Sequence, residues 1–162
     1  MRIITENYFI KPLNLFELEL LVDSMEKGTD FELAGYEANT FSWEFKKALK
    51  ETYVPAVKRH QKDYLLYTLW LLISKSDNRI KGAISYYHLP MEKRLLEISY
   101  QVFDLTNDEA LIFESLSGIL QWLTDEYNFS RVRFFNDYES ITDQCFFVKG
   151  FQKSDNNLYI KQ

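Results

Sequence analysis

The sequence is poor in the residues that build disulfides, metal centres and tight turns. Its 162 residues include one cysteine (Cys145), two histidines (His60 and His88), three prolines and five glycines. A single cysteine excludes an internal disulfide, and so few cysteines and histidines argue against a zinc centre. No metal site is therefore predicted.

Long apolar runs and basic clusters are also missing. The longest apolar run, from Tyr64 to Ile73, is about half of what a bilayer-spanning helix requires. Charged residues near the start, such as Glu6, Lys11 and Glu17, argue against a secretory signal. A formal net charge of −5, with no lysine or arginine run longer than a pair, argues against nucleic acid as a partner. We expect a cytoplasmic protein with neither membrane nor nucleic acid as its partner.

Apolar and aromatic residues are abundant. They make up 46% of the chain, and there are 13 phenylalanines, 11 tyrosines and three tryptophans. This composition excludes disorder, and the length suits a single core, so residues 1–162 are predicted to form one domain.

The first half of the chain reads as one strand followed by helices. Residues 2–11 are β-branched and aromatic, which favours a strand. Asn14 and Glu17 form a capping box that opens a helix ending at Gly28. Residues 29–40 are predicted to be a loop. Ser42 begins a second helical region, which Pro55 interrupts.

The second half begins with strands. Residues 64–73, 80–88 and 95–103 predict a three-stranded meander, and Thr106 with Glu109 caps a long amphipathic helix. A strand at 131–135, a helix at 140–149 and a terminal hairpin follow. This order predicts an α+β fold with helices on both sides of one sheet.

The element order resembles the GNAT superfamily of N-acetyltransferases. The resemblance is carried by residues 97–100 before the long helix and by residues 148–151 near the end. Residues 4–13 and 79–84 are similar to the branch that acetylates ribosomal-protein N-termini. The resemblance covers nearly the whole chain. It implies the GNAT (acyl-CoA N-acyltransferase) fold, a mixed, mostly antiparallel sheet of about seven strands with helices on both faces.

The resemblance also implies acetyl-CoA as cofactor and an amine, either a protein N-terminus or a small amine, as acceptor. In that family the strand matching residues 98–103 pairs through its backbone with the pantetheine arm, which places Ser99, Gln101 and Phe103 at the cofactor. In that family the cofactor's pyrophosphate lies at the start of the next helix. The residues at that position here are Asn107, Asp108, Glu109, Ala110 and Leu111.

The predicted pyrophosphate loop departs from the family pattern. Its central glycine is Asp108 and its leading basic or amide residue is Leu105, so it carries no positive charge. Two like charges about 4 Å apart repel by about 1 kcal/mol in water and by about 4 kcal/mol at a protein surface. Alternatively, Thr106 and Glu109 only cap the helix and close the anion site.

The resemblance assigns the catalytic roles as follows. Glu97 matches a glutamate that serves as general base in related enzymes; the alternatives are a solvated strand residue or an ion-pair partner. The family's proton-donating tyrosine is replaced by Phe147, and its asparagine by Glu139, so Tyr138 is the candidate donor. His88 is a further candidate for activating the substrate, with a surface residue as the alternative.

Two functions remain open, an active N-acetyltransferase and a catalytically inactive GNAT-fold binding or regulatory module; a third interpretation is an unrelated α+β protein in which the motif matches are accidental. Three glutamates near the loop between the first two helices, Glu32, Glu37 and Glu44, favour a cationic amine as acceptor. Three tyrosines (Tyr86, Tyr87 and Tyr100) belong either to a substrate groove or to the core. The sequence does not fix the oligomeric state, and a homodimer is compatible with it.

Overall fold

A computed structural model describes residues 1–27, 32–33, 36–38, 41–88, 95–103, 108–127, 129, 131–135, 143–155 and 158–161. The strands are β1 (Ile3–Ile4), β2 (Tyr8–Pro12), β3 (Glu32–Leu33), β4 (Tyr36–Ala38), β5 (Trp70–Ser74), β6 (Arg79–His88), β7 (Leu95–Val102), β8 (Arg131–Phe135), β9 (Gln152–Asp155) and β10 (Leu158–Lys161). The helices are α1 (Leu15–Lys27), α2 (Trp43–Ala48), α3 (Val54–Arg59), α4 (Asp108–Tyr127) and α5 (Asp143–Phe147). A π-helical turn (Leu49–Tyr53) joins α2 to α3, and a 3₁₀ helix (Gln61–Leu66) follows α3.

All the described strands belong to one sheet. Its main path runs β1-β2-β5-β6-β7-β8-β10-β9, and β4 adds to β6 while pairing with β3. The pairs β7–β8 and β4–β6 are parallel and the other described pairs are antiparallel. The predicted mixed, mostly antiparallel sheet of about seven strands is confirmed.

Helices cover both faces of this sheet, as predicted. Helix α4 packs its apolar stripe, including Leu116 and Ile119, on one face of the central strands. On the other face, buried residues of α1, α2 and α3, such as Leu18, Phe45 and Val57, form a second core cluster. Within the described residues, no helix combines the length and apolarity needed to cross a bilayer.

Several helix ends follow directly from local sequence. The predicted capping box is present, since Glu17 N–H donates to Asn14 Oδ1 and Asn14 N–H donates to Glu17 Oε2, each at 2.9 Å. Ser42 caps α2 by accepting from the N–H of Phe45 at 3.2 Å. Gly150 adopts a positive φ of 81° just after α5, as a C′ glycine should.

Three predictions for the first half were wrong. Residues 2–11 form the antiparallel pair β1–β2 rather than one strand, because Thr5 and Tyr8 close a turn through Thr5 N–H to Tyr8 O at 3.0 Å. The predicted loop at 29–40 contains β3 and β4. Pro55 does not interrupt the helix, because the π-helical turn, with Val54 N–H donating to Leu49 O, carries the chain into α3.

The predicted strand at 64–73 was also wrong in its first half. The 3₁₀ helix extends to Leu66, and the N–H groups of Tyr67 and Thr68 both donate to Tyr64 O at 2.9 Å. The strand begins only at Trp70, whose indole N–H donates to Leu65 O at 2.8 Å. A continuous apolar run has no periodicity that could separate the two elements.

Helix α4 is tied to the β1–β2 turn by one carboxylate. Glu114 accepts hydrogen bonds from the backbone N–H of Asn7 at 2.6 Å and from its side-chain amide at 2.9 Å. Burial alone would raise the pKa of Glu114, but hydrogen bonds from Thr5 and Asn7 outweigh it and lower the pKa. The charged form of Glu114 therefore stabilises the fold.

Replacing Glu114 by glutamine should lower the free energy of unfolding at pH 7 by about 1 kcal/mol. Because the folded-state pKa is lowered, this stabilisation is present above the unfolded pKa of about 4.3 and is lost as the pH falls through the folded pKa. Urea titrations of both proteins at pH 7 and below pH 4 should show the difference shrinking in acid. Glu126→Gln, on the exposed side of α4, is the control. An unchanged difference in acid would contradict this role.

Candidate active site

The central feature of the site is a fork between β7 and β8. The two strands pair in parallel from Leu95↔Arg131 to Ile98↔Phe134, and the ladder ends there. Strand β7 continues beside β6 as far as Val102↔Gly82. Within the described strand pairs, β8 contacts the first half of β7 and β6 contacts β7 along its length.

The hydrogen-bonding phase of β7 determines which of its backbone groups face β6 and which face β8. Phe103 N–H donates to Lys81 O on the β6 side at 2.8 Å. Because the residues that face one neighbour alternate along an antiparallel ladder, the backbones of Ser99 and Gln101 also face β6. Tyr100 and Val102 face the β8 side instead. The backbone groups of Ser99, Gln101 and Phe103 are therefore directed at β6, and a contact between these residues and a cofactor stays a prediction.

Gly82 permits the close approach of β6 and β7. A Cβ atom at this position would lie 2.6 Å from the carbonyl oxygen of Gln101, closer than a side chain can come without moving the backbone. Glycine at this position therefore keeps β7 in place where it forms one side of the fork.

A cleft of about 310 Å³ lies between α2 and the sheet beside the fork. Its lining includes Ser99 and Gln101 of β7, as well as Ser85 of β6 and Glu44 of α2; the other lining residues are Phe45, Ala48, Tyr53, Leu69, Ala83 and Tyr100. Two of the residues predicted from the sequence, Ser99 and Gln101, are thus brought together with Glu44, while Phe103 packs its ring against Phe45 at 5.1 Å.

Two buried hydroxyl groups form the polar floor of the cleft. Tyr53 Oη donates to Ser85 Oγ at 2.8 Å, and the two residues are 8% and 3% exposed. Ser85 lies directly opposite Ser99 in the β6–β7 register. Sequence analysis missed Tyr53, because it lies in the π-helical turn, and such turns are frequent at functional sites but have no sequence signature.

Glu97 lies on the same side of β7 as Ser99 and forms an ion pair with Arg133. Arg133 Nε donates to Glu97 Oε2 at 2.7 Å, and Nη2 of the same guanidinium also binds that oxygen. The two residues are register partners at the closed end of the fork. The described hydrogen bonds of Glu97 all involve Oε2, so the arginine fixes the carboxylate while Oε1 remains for another partner.

The start of α4 is described only in part. Glu109 and Ala110 are exposed in the first turn, whereas the side chain of Leu111 is buried in the core, so that only its backbone can meet a ligand. Asn107 and the side chain of Asp108 lie outside the described residues.

Of the remaining candidate residues, some also lie outside the described part of the chain and others are described. Tyr138 and Glu139, as well as the side chains of Tyr87 and His88, also lie outside the described part of the chain. Tyr86 is not a groove residue. It is buried under α4, where burial raises the pKa of its hydroxyl well above its ordinary value. Within the described residues, no cluster of three or more histidine, cysteine or carboxylate side chains could hold a metal ion.

Comparison with known proteins decides the fold. No protein-family model and no curated protein sequence matches the chain. Solved structures do match it over nearly their full length. An acetyltransferase of the GNAT family from Bacillus anthracis is 14% identical, with a TM-score of 0.59 over 99% of this chain and 96% of that one. The ribosomal-protein-S5-alanine acetyltransferase from Vibrio fischeri is 14% identical, with a TM-score of 0.64 over 99% and 96%. The chain has the GNAT fold.

A third structure with the GNAT fold contains coenzyme A. The ribosomal L7/L12 α-N-protein acetyltransferase RimL, in complex with coenzyme A, is 11% identical, with a TM-score of 0.63 over 99% of this chain and 97% of that one. At these identities the similarity establishes the GNAT fold of the present chain, and its chemistry must be argued from its own residues.

Proposed function

We propose that the protein is an N-acetyltransferase that moves an acetyl group from acetyl-CoA to an amine. The observation that carries this proposal is the β7–β8 fork beside a polar cleft, in a chain with the GNAT fold. RimL, which has the same fold, binds coenzyme A. In the GNAT fold the pantetheine arm of the cofactor lies along the strand that corresponds to β7, which here extends past the last described β7–β8 pair.

The described residues can be given roles in that reaction. The cofactor would lie along the second half of β7, with its pyrophosphate near Ala110, and it would supply the acetyl thioester. Glu97, held by Arg133, takes a proton from the amine at Oε1. Tyr138 is the proposed proton donor for the departing thiolate.

The lining of the cleft supports a cationic amine as the acceptor. Glu44 lies at the cleft, in the first turn of α2, and is its one carboxylate among the described lining residues. Glu32 and Glu37, the other two glutamates of the proposed rim, lie on β3 and β4. An ammonium group entering the cleft would meet Glu44 before it reached the buried hydroxyl groups of Tyr53 and Ser85.

Two observations favour the alternative, an inactive GNAT-fold module. One oxygen of Glu97 is already occupied by Arg133. Phe147, which stands where the family has a proton-donating tyrosine, is 45% exposed and has no proton to give. Whether the protein binds acetyl-CoA distinguishes the active N-acetyltransferase from the inactive module.

Calorimetric titration with acetyl-CoA and with coenzyme A tests the proposal. We expect micromolar binding to the unmodified protein and at least a tenfold loss in Ala110→Phe, because added bulk in the first turn of α4 would block the pyrophosphate. Glu126→Phe is the control; it lies on the same helix about 24 Å away and should bind normally. No binding at millimolar cofactor would reject the enzyme and favour the inactive module.

A further inference from the structure

A second groove lies on the opposite flank of α2 from the cleft. Its volume is about 430 Å³, and its described lining consists of eight residues of α1, α2 and the π-helical turn: Val22, Met25, Glu26, Trp43, Lys46, Lys47, Lys50 and Glu51. We call it the Trp43 groove. It shares no described lining residue with the cleft.

Trp43 is unusually exposed for its type. Its side chain is 68% exposed, whereas Trp70 and Trp122 are buried. The Lys47 ammonium lies 5.3 Å from the centroid of its ring. Exposed tryptophan beside an apolar floor is characteristic of binding surfaces, where tryptophan is enriched among the residues that contribute most affinity.

The Trp43 groove is lined by three lysines and two glutamates, so its described lining has an excess of one positive charge, whereas the whole protein has a net charge of −5. Two of the three lysines pair with carboxylates, Lys50 with Glu26 at 2.5 Å and Lys47 with Glu51 at 3.9 Å. Lys46 has no ion pair among the described residues. Because Glu26 and Glu51 pair with the other two lysines, Lys46 is the cation of the groove that suits a ligand carboxylate, next to an apolar side chain on Trp43.

The position of α2 connects the Trp43 groove to the cleft. Glu44 and Ala48 line the cleft, whereas Trp43 and Lys47 line the groove, so the two sites lie on different sides of the same helix. A helix with its side chains is about 10 Å across. An extended peptide advances about 3.3 Å per residue and would cross it in about three residues.

We propose that the Trp43 groove binds the downstream segment of a peptide acceptor whose N-terminal amine lies in the cleft. An apolar side chain at about the fifth position of the peptide packs on Trp43, and an acidic side chain at the next position faces Lys46. This inference rests on the proposed function and narrows its acceptor from amines in general to peptide N-termini.

The test uses synthetic peptides with a free N-terminus and either three or six residues. The six-residue peptide carries leucine at its fifth position and glutamate at its sixth. We expect it to bind at least about tenfold more tightly than the three-residue peptide, and to be acetylated with a correspondingly lower KM. Trp43→Ala should abolish this difference, and Trp43→Phe should retain part of it. Lys46→Glu should reverse the preference for glutamate over lysine at the sixth position.

The matched control is Phe16→Ala, which removes another exposed aromatic side chain, from α1 and outside the groove. It should leave both peptides unaffected. If short and long peptides were acetylated equally well, and Trp43→Ala changed neither, the proposed role of the Trp43 groove would be wrong and the proposed function would still stand. Trp43-dependent binding without turnover of any peptide would overturn the proposed function and, with it, the role of the groove in acceptor binding.

Discussion

Glu97→Gln should lower kcat by about 10²–10⁴-fold while leaving the affinity for acetyl-CoA unchanged. Glutamine keeps an oxygen that can accept from the Arg133 guanidinium, so the contact across the closed end of the fork survives. It cannot accept a proton from the amine, which is the role proposed for Oε1. Steady-state kinetics with a peptide acceptor, together with calorimetry of the cofactor, measure the two quantities separately.

Glu44→Gln provides the matched control, because it neutralises the other carboxylate of the site. Glu44 is proposed to attract the ammonium group rather than to take its proton, so its loss should raise KM and leave kcat within a few-fold. If Glu97→Gln kept its kcat, Glu97 would be only an ion-pair partner of Arg133, the alternative that its sequence position also allowed.

Much of the fold could be predicted because its signals are local. The reciprocal capping by Asn14 and Glu17 involves residues three apart, and it was predicted to the residue. The long helix α4 shows its apolar stripe over five turns, and the strands β6 and β7 follow alternation and turn signals. The arrangement of these elements then agreed with the GNAT fold.

What the sequence could not predict depends on contacts between distant segments. Strand β4 exists because it pairs in parallel with β6, at Glu37↔Arg79 and Ala38↔Ile80. No local sequence pattern within residues 29–40 indicates that pairing. The π-helical turn that brings Tyr53 to Ser85 allows the chain to pass Pro55 within a helix. Both features arise from tertiary packing, which overrides local propensity.

The sequence suggests residues for the candidate site but does not give the contacts between them. Glu97 was named from its place on the central strand, but its partner Arg133 lies 36 residues further along and was not identified. Ser99 and Gln101 were named for their backbones, whereas the phase of β7 turns their side chains to the cleft. Phase and partner both follow from strand register, and a single sequence does not specify the register of a parallel pair.

Phe134→Ala is expected to destabilise the protein strongly. Phe134 is 0% exposed, and its ring lies 4.8 Å from those of both Tyr100 and Phe146 and 6.4 Å from that of Phe151. Removing a fully buried phenylalanine leaves a cavity that the surrounding core can only partly fill, which typically costs about 3–5 kcal/mol. Urea denaturation should show this loss of unfolding free energy, and Phe134→Leu should lose less.

The position of Phe134 in the sheet gives this variant a second expected effect. Phe134 is the register partner of Ile98, the last pair before the fork, and its ring stacks on Tyr100, which faces the fork through its backbone. Loss of the ring should therefore loosen β7 where the cofactor would lie. Acetyl-CoA affinity should fall even under conditions in which the variant is fully folded. Leu123→Ala, which removes a buried side chain of α4 away from the fork, should lose stability but bind acetyl-CoA normally. Equal affinity in the two variants would mean that Phe134 supports only the core, and that the fork is held open by other residues.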